Sequence, residues 1–365
     1  MKKNILILSN CLDGLYSFRK EVIQAIADQG YAVHISIPDA DSKLKPFFNE
    51  MGCHIIPTQF NRRGMNPILE LILIYKYWHI IRILRPTAVL SYTIKPNIYG
   101  GIACRITGTP QIANITGLGD AVENGGWLQK LTVLLYKIGL GKAHRIFFQN
   151  STNRVFCENH GIGKGRTALL PGSGVNLIHH SYKPYPADNG IVRFLYIGRL
   201  LKDKGIDEFF DAARVVKKQH PNVEFQILGT DEGDYTQELD NLVKMGIIKF
   251  LGETLDVRPY IGSVECTIMP SYHEGMSNVN LESAANGRPV ITTNVPGCKE
   301  TVDDGITGFI AEPRSSQSLI DCVERFINLP YSEKVKMGLE GRKKVEREFD
   351  RQIVVNAYLN EINNI

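Results

Sequence analysis

Ile191-Val-Arg-Phe-Leu-Tyr-Ile-Gly198 runs directly into Arg199-Leu-Leu-Lys-Asp-Lys-Gly205. The first segment is almost continuously apolar and rich in β-branched and aromatic residues, the pattern of a strand covered on both faces. It ends in glycine, and the polar residues beyond it open an amphipathic stretch whose spacing predicts a helix over about 204–218. A strand, a glycine turn and a helix in this order make the repeating step of a doubly wound parallel sheet. Ligands of such sheets bind at the carboxyl ends of the strands.

The same step recurs outward from this stretch. Downstream, strands are predicted at 223–228 (again ending in glycine, Gly229), 248–251, 266–269, 289–292 and 309–310, and the tail from about 315 reads as helical. Upstream, strands at 4–9, 32–37, 54–58, 88–93, 110–115 and 145–149 alternate with helices at 13–30, 43–51, 66–84, 97–107, 127–141 and 151–160. Between the two series, Leu170-Pro-Gly-Ser-Gly174 and Tyr182-Lys-Pro-Tyr-Pro186 concentrate proline and glycine, which predicts a linker. The expected organisation is an α/β chain with a Rossmann-like domain over 1–172, a linker over 173–188, a second Rossmann-like domain over 189–345, and a helix over 346–365 crossing back to the first domain. The cleft between two such domains is the default ligand site.

Composition supports this and excludes other classes. The 365 residues are 43% hydrophobic and 22% charged, an ordinary globular balance at about two domains' length. The charge is uneven: residues 1–185 hold 21 Lys and Arg against 10 Asp and Glu, and the remainder holds 21 against 28. A basic half joined to an acidic half implies surfaces with different partners. None of the seven cysteines is spaced as CxxC, so a reduced, cytosolic protein with free thiols is expected. The apolar run at 4–8 is too short for a secretory signal. The segment 68–84 carries Glu70, Lys76, His79 and Arg82, too many polar groups for a membrane span. It reads as a helix that is partly buried, or that also touches lipid, with Arg62, Arg63 and Arg85 around it.

The second half carries the chemistry. Arg199 and Lys204 place two cations at a helix start behind Gly198, a setting for a diphosphate. About 75 residues on, Ser271-Tyr-His-Glu-Gly-Met-Ser-Asn-Val-Asn-Leu-Glu282 follows a strand and opens another helix. Gly275 lets backbone approach a ligand, Ser277 or Asn278 can cap the helix, and Glu274 and Glu282 can accept from sugar and ribose hydroxyls. Two carboxylates on one loop and helix cannot flank a glycosidic bond, so a glycosidase is excluded.

These segments, with Arg288-Pro-Val-Ile and Gly297…Glu300 ahead of Gly305…Gly308-Phe309, resemble the retaining family-4 glycosyltransferases of GT-B fold. Ser271 to Glu282 is similar to that family's E-x7-E motif, and Gly198-Arg-Leu with Lys204-Gly205 to its diphosphate motif. The resemblance implies a nucleotide-sugar donor on the second domain. Arg199 and Lys204 would hold the diphosphate and neutralise the leaving group, Glu274 would bind the donor sugar and Glu282 the ribose. Backbone amides of Gly275, Met276, Ser277 and Asn278 would approach the sugar or distal phosphate, and uracil would stack near Gly252. No metal and no cofactor are implied, since protein cations take that role.

In the first domain the loop after the first strand resembles the family's glycine-bearing loop, with Gly14 over the donor diphosphate. Thr93-Ile-Lys-Pro-Asn97 and Ile115-Thr-Gly-Leu-Gly119 resemble segments of enzymes that extend undecaprenyl-diphosphate-linked sugars for capsule, O-antigen or exopolysaccharide. Thr93, Lys95, Asn97, Thr116 and Asp120 are the acceptor-side candidates, Lys95 for an acceptor phosphate. The implied reaction moves a HexNAc or hexuronate from a UDP-sugar to a polyprenyl-diphosphate-linked acceptor. The implied place is the inner face of the plasma membrane, with Arg62 and Arg63 touching lipid. A nucleotide-sugar epimerase or hydrolase, or a non-catalytic sugar-nucleotide binder, is the alternative.

Other signals carry less. Asp39 and Asp41 are spaced like a DxD metal site, but they follow a second strand of a doubly wound sheet, where acidic loops are common. Gly161-Ile-Gly-Lys-Gly165 fails the P-loop spacing, and no GxGxxG follows the first strand. His179 and His180 read as surface residues of the linker. Basic residues do not alternate with aromatics along a groove, so nucleic acid is not an expected partner.

Overall fold

In this computed structural model residues 3–38, 42–62, 64, 66–118 and 126–365 are described. The chain divides into two units, Met1–Ser173 with Arg351–Ile365, and Gly174–Asp350.

The first unit is built on a seven-stranded parallel sheet in the order β3-β2-β1-β4-β5-β6-β7. Its strands are β1 (Asn4–Leu8), β2 (Ala32–Ile37), β3 (His54–Pro57), β4 (Ala88–Tyr92), β5 (Gln111–Ile115), β6 (Arg145–Phe148) and β7 (Thr167–Leu169). Leu8 lies opposite Ser36 of β2 and Ser91 of β4, so β1 is central and its carboxyl end is where the strand order switches. The short strand β7 lies outside the predicted set.

Helices cover both faces. On one side α1 (Leu12–Asp28), α2 (Lys45–Glu50) and the last helix, α13 (Arg351–Asn363), share a core of Ile5, Ile7, Val22, Ile35, Leu90, Val354 and Tyr358. On the other lie α3 (Pro67–Leu84), α4 (Gly101–Thr107), α5 (Gly126–Leu140) and α6 (Ser151–Asn159). The predicted helix at 97–107 begins as a π-helical turn at Pro96–Gly100 before α4. α13 is fixed to the first unit by Arg351, which reaches Glu21 at 2.6 Å, and by Tyr358, which accepts from Asn114 at 2.9 Å.

The second unit has a six-stranded parallel sheet in the order β10-β9-β8-β11-β12-β13. The strands are β8 (Val192–Ile197), β9 (Val223–Leu228), β10 (Ile248–Phe250), β11 (Cys266–Met269), β12 (Val290–Thr293) and β13 (Gly308–Ala311). α7 (Ile206–Gln219), α8 (Thr236–Lys244), α9 (Arg258–Gly262), α10 (Asn278–Ala285), α11 (Ser316–Ile327) and α12 (Tyr331–Glu348) pack around it. Phe194, Phe209, Phe225 and Phe326 form its aromatic centre.

The proline- and glycine-rich stretch is not a free tether. The fully buried Arg288 donates to the carbonyls of Lys183 (3.0 Å), Pro184 (2.7 Å) and Gly262 (2.8 Å). Tyr185 donates to Glu265 O at 2.9 Å and lies over the same guanidinium. The stretch is held by its carbonyls, which proline retains although it lacks an amide hydrogen.

Candidate active site

β11 pairs with β8 (Cys266 opposite Phe194), so the loops leaving their carboxyl ends lie side by side. The first loop carries Gly198, Arg199 and a short 3-10 turn, Lys202–Lys204, and ends at Gly205, the cap of α7. The second runs from Pro270 to Ser277, the cap of α10. They touch backbone to backbone: Tyr272 N donates to Asp203 O at 2.9 Å, and a Cβ on Gly205 would sit 2.1 Å from Pro270 O. With φ at +70°, no other residue fits at 205.

That approach brings Lys204 and Glu274 together. Lys204 Nζ donates to Glu274 Oε1 at 2.8 Å, both side chains being less than one-fifth exposed. Ser271 Oγ donates to the same oxygen at 3.0 Å, and Thr293 Oγ1 donates to Ser271 O. Beneath them, burial and then the Glu274 charge push the Cys298 thiol up to about 12. Burial, with Asp203 and Glu274 after it, likewise raises the Tyr196 hydroxyl, which donates to Arg199 O at 2.8 Å. Both groups stay neutral near pH 7, so the charges here belong to Lys204 and Glu274.

A third loop supports the second. Ser277 N donates to Gly297 O at 2.7 Å, and Gly297 N donates to Glu300 Oε2 at 2.7 Å. A Cβ on Gly297 would lie 2.4 Å from Glu274 O, at a φ of +82°. The bond from Ser277 corrects one expectation: that amide is engaged within the protein rather than aimed at a ligand. Met276 is buried against Val175, Leu281 and Val345, so its side chain belongs to the core. The Ser277 hydroxyl caps α10, and Asn278 beside it keeps a buried side-chain oxygen without a partner.

Arg199 shares the first loop but is half exposed, its guanidinium 3.2 Å from the half-exposed Glu232. Glu232, which the sequence did not single out, lies three residues past Gly229, the glycine beyond β9, as Arg199 follows Gly198 beyond β8. Glu282, one turn into α10, faces the buried His180 at 3.9 Å. His180 is therefore not the surface residue its linker position predicted. Gly252 accepts from Gly229 N at 2.8 Å beyond the end of β10.

In the first unit the residues after β4 are the informative ones. Thr93 has a φ of 71°, an outlier for a β-branched residue, and its hydroxyl is buried without a hydrogen-bond partner. Lys95 Nζ donates to Glu70 Oε1 at 2.5 Å and to Gly64 O at 2.7 Å. Burial and Glu70 together push the Tyr99 hydroxyl up to about 12. Asn97 is fully buried and accepts from Ser91 at 2.8 Å while donating to Asn114 O at 2.9 Å. It ties β4 to β5 and presents nothing to an acceptor. Gly14 lies within the first turn of α1, not in a loop, because that helix begins at Leu12. Thr116 is half-buried just past β5, and Arg62 is exposed. Asp120, Arg63, Asp39 and Asp41 lie outside the described residues. Among the described residues no three His, Cys, Asp or Glu side chains converge as a metal site.

Each unit is built on a parallel sheet, and in the second unit two loop ends join a cation to a carboxylate; with the matches that follow, the chain is a glycosyltransferase of GT-B fold. Residues 5–150 match the family described as glycosyl transferase 4-like, and residues 192–328 match glycosyl transferases group 1. The chain is 24% identical, over 96% of each sequence, to the N,N'-diacetylbacillosaminyl-diphospho-undecaprenol alpha-1,3-N-acetylgalactosaminyltransferase of Campylobacter jejuni. It is 28% identical to the capsular polysaccharide biosynthesis glycosyltransferase CapM of Staphylococcus aureus, over 91% of this chain and 90% of CapM. In fold it is similar to Anabaena Alr3699/HepE in complex with UDP and glucose, with a TM-score of 0.80 and 17% identity over all of both chains.

Proposed function

We propose that the chain transfers a sugar, with retention and without a metal ion, from a UDP-sugar to a polyprenyl-diphosphate-linked acceptor at the inner face of the plasma membrane. The observation that carries this reading is the Lys204–Glu274 pair, formed across two loops at the carboxyl edge of one sheet. Such a pair can serve both ends of a sugar diphosphate. The ammonium faces phosphate oxygens and the carboxylate accepts from sugar hydroxyls. As the bond from the anomeric carbon to the diphosphate oxygen breaks, negative charge grows on the departing UDP. Arg199 and Lys204, beside the start of α7, lower the energy of that charge where it develops. These two cations supply the neutralisation that a divalent ion supplies elsewhere.

The acceptor class rests on the Campylobacter relative, whose name describes a diphospho-undecaprenol acceptor, and on the basic first half of the chain. The same name makes a HexNAc donor the first choice to test, and a hexuronate the second. The decisive assay measures UDP release from a set of UDP-sugars, with and without a short-chain polyprenyl-diphosphate sugar, and with and without EDTA. Acceptor-dependent, EDTA-resistant release is expected. Release without acceptor indicates a hydrolase or epimerase, and a strict need for Mn2+ refutes the role given to Arg199 and Lys204.

A further inference from the structure

α3 is apolar on nearly every side, yet the first unit covers only one flank of it. Leu73, Tyr77 and Ile81 pack with Leu6, Leu8, Val89, Ala103 and Cys104. Ile68, Leu71, Tyr75 and Ile83 are each more than 60% exposed. A helix that is hydrophobic all round is ordinarily buried in a core or in lipid. α5 repeats the arrangement. Val133, Tyr136 and Leu140 point into the core, while Trp127 (71% exposed), Leu131, Leu134 and Ile138 form an outer stripe at helical spacing. Ile106 of α4, which packs against both helices, is exposed between them. On the opposite face of the sheet, α1 and α2 have no large exposed hydrophobic side chain.

The charges on α3, α4 and α5 are mostly of one sign. These helices carry Lys76, Arg82, Arg105, Lys130 and Lys137 against a single carboxylate, Glu70. Glu70 is buried and held by Lys95, so it adds nothing to the surface. An apolar area of this extent on a soluble surface marks an interaction site. An apolar patch whose helices carry exposed cations, with Trp and Tyr among its exposed groups, fits the boundary of an anionic bilayer. Aromatic rings sit at headgroup depth there, and long basic side chains reach the phosphates. Among the described residues no helix is long and apolar enough to cross a membrane, so these helices would lie along it.

We propose that the outer face of α3, α4 and α5 is a membrane-docking surface for anionic lipid. The α3 stripe and the α5 stripe enter the interface together, and Arg82, Arg105, Lys130 and Lys137 rest on the headgroups. This gives the proposed lipid-linked transfer a seat at the membrane and rests on that reading for its purpose, although docking itself can be measured without turnover.

The test uses the full chain with vesicles of phosphatidylcholine alone or mixed with phosphatidylglycerol. The wild type should sediment with the anionic vesicles, progressively less as salt rises. Its tryptophan emission should shift to the blue, because Trp127 is one of only two tryptophans. L71E/L134E should weaken binding at least about tenfold and abolish the shift. K130E/K137E should weaken binding and flatten its salt dependence. Both should keep wild-type circular dichroism and wild-type turnover of a short-chain, water-dispersed acceptor. R199A should lose turnover and still sediment normally, which separates failure of the catalytic reading from failure of this one. The proposal is overturned if the wild type stays in solution at low salt, or if L71E/L134E sediments unchanged. It is also overturned if L71E/L134E converts a dimer to a monomer while the wild type ignores vesicles, since the face then joins two copies of the chain.

Discussion

Replacing Lys204 by Met keeps the length of the side chain and removes the cation from a pair whose members are less than one-fifth exposed. At 2.8 Å the gross attraction is about 6 kcal/mol for an effective dielectric of about 20. Desolvation of both groups offsets most of it. A partly exposed pair falls between the ~0.2–1 kcal/mol of surface pairs and the ~3–5 kcal/mol lost on breaking a fully buried one, so the net loss should be about 2 kcal/mol. For a unit of this size that lowers the melting temperature by about 4–8 °C. A double-mutant cycle of K204M, E274Q and the combination, followed by urea unfolding, should give a coupling energy of about 1–2 kcal/mol. UDP affinity in K204M should fall about 10–100-fold with the loss of one charge-assisted bond. Arg199 is the contrast. It is half exposed, so R199A should leave stability unchanged within about 0.5 kcal/mol while nearly abolishing turnover. A coupling energy under about 0.3 kcal/mol would refute the pairing, and a K204M protein that binds UDP as the wild type does would refute its role.

Three further outcomes follow from named contacts. G297A places a methyl group 2.4 Å from Glu274 O at a backbone φ of +82°, and should destabilise the second unit by more than about 2 kcal/mol in chemical unfolding. The control G190A has the same sign of φ but open space around its Cβ, and should lose only about 1 kcal/mol. T93G removes a β-branched side chain from a left-handed position, so calorimetry should show a gain of about 1 kcal/mol alongside reduced turnover with acceptor. Burial, and then the neighbouring His54, lower the affinity of His34 for a proton. The unfolded chain then binds more protons than the folded one just below pH 6.5, so stability should fall as pH drops from 7 toward 5.5, and H34N should flatten that slope.

The donor-side residues were legible because they follow a local rule. Wherever an apolar run ends and a helix opens beyond it, polar side chains stand at the carboxyl edge of the sheet, and Arg199, Lys204 and Glu274 all lie in such loops. What lies beneath those loops was not legible, because it depends on contacts between distant segments. Gly297 under Glu274 and Thr293 on Ser271 appear only when three strands are side by side. The contacts of the acceptor-side candidates were not legible either. Lys95 is bound to Glu70, 25 residues earlier in the chain, and Asn97 is spent on joining two strands. Periodicity also marked 66–84 as a helix without revealing that its outer flank stays bare, since an all-apolar helix gives no sign of which side is covered.

The placement of α13 has a consequence for how the protein is made. Val354, Val355 and Tyr358 belong to the core of the first sheet, yet they leave the ribosome after the entire second unit. At about 5–20 residues per second, the first sheet waits roughly 10–35 s for its closing helix. During that interval the flank formed by Ile5, Ile35 and Leu90 is open while the second unit, continuous in sequence, can fold to completion. The unit begun first is thus finished last, and the order of synthesis makes the second sheet a spectator to the closing of the first.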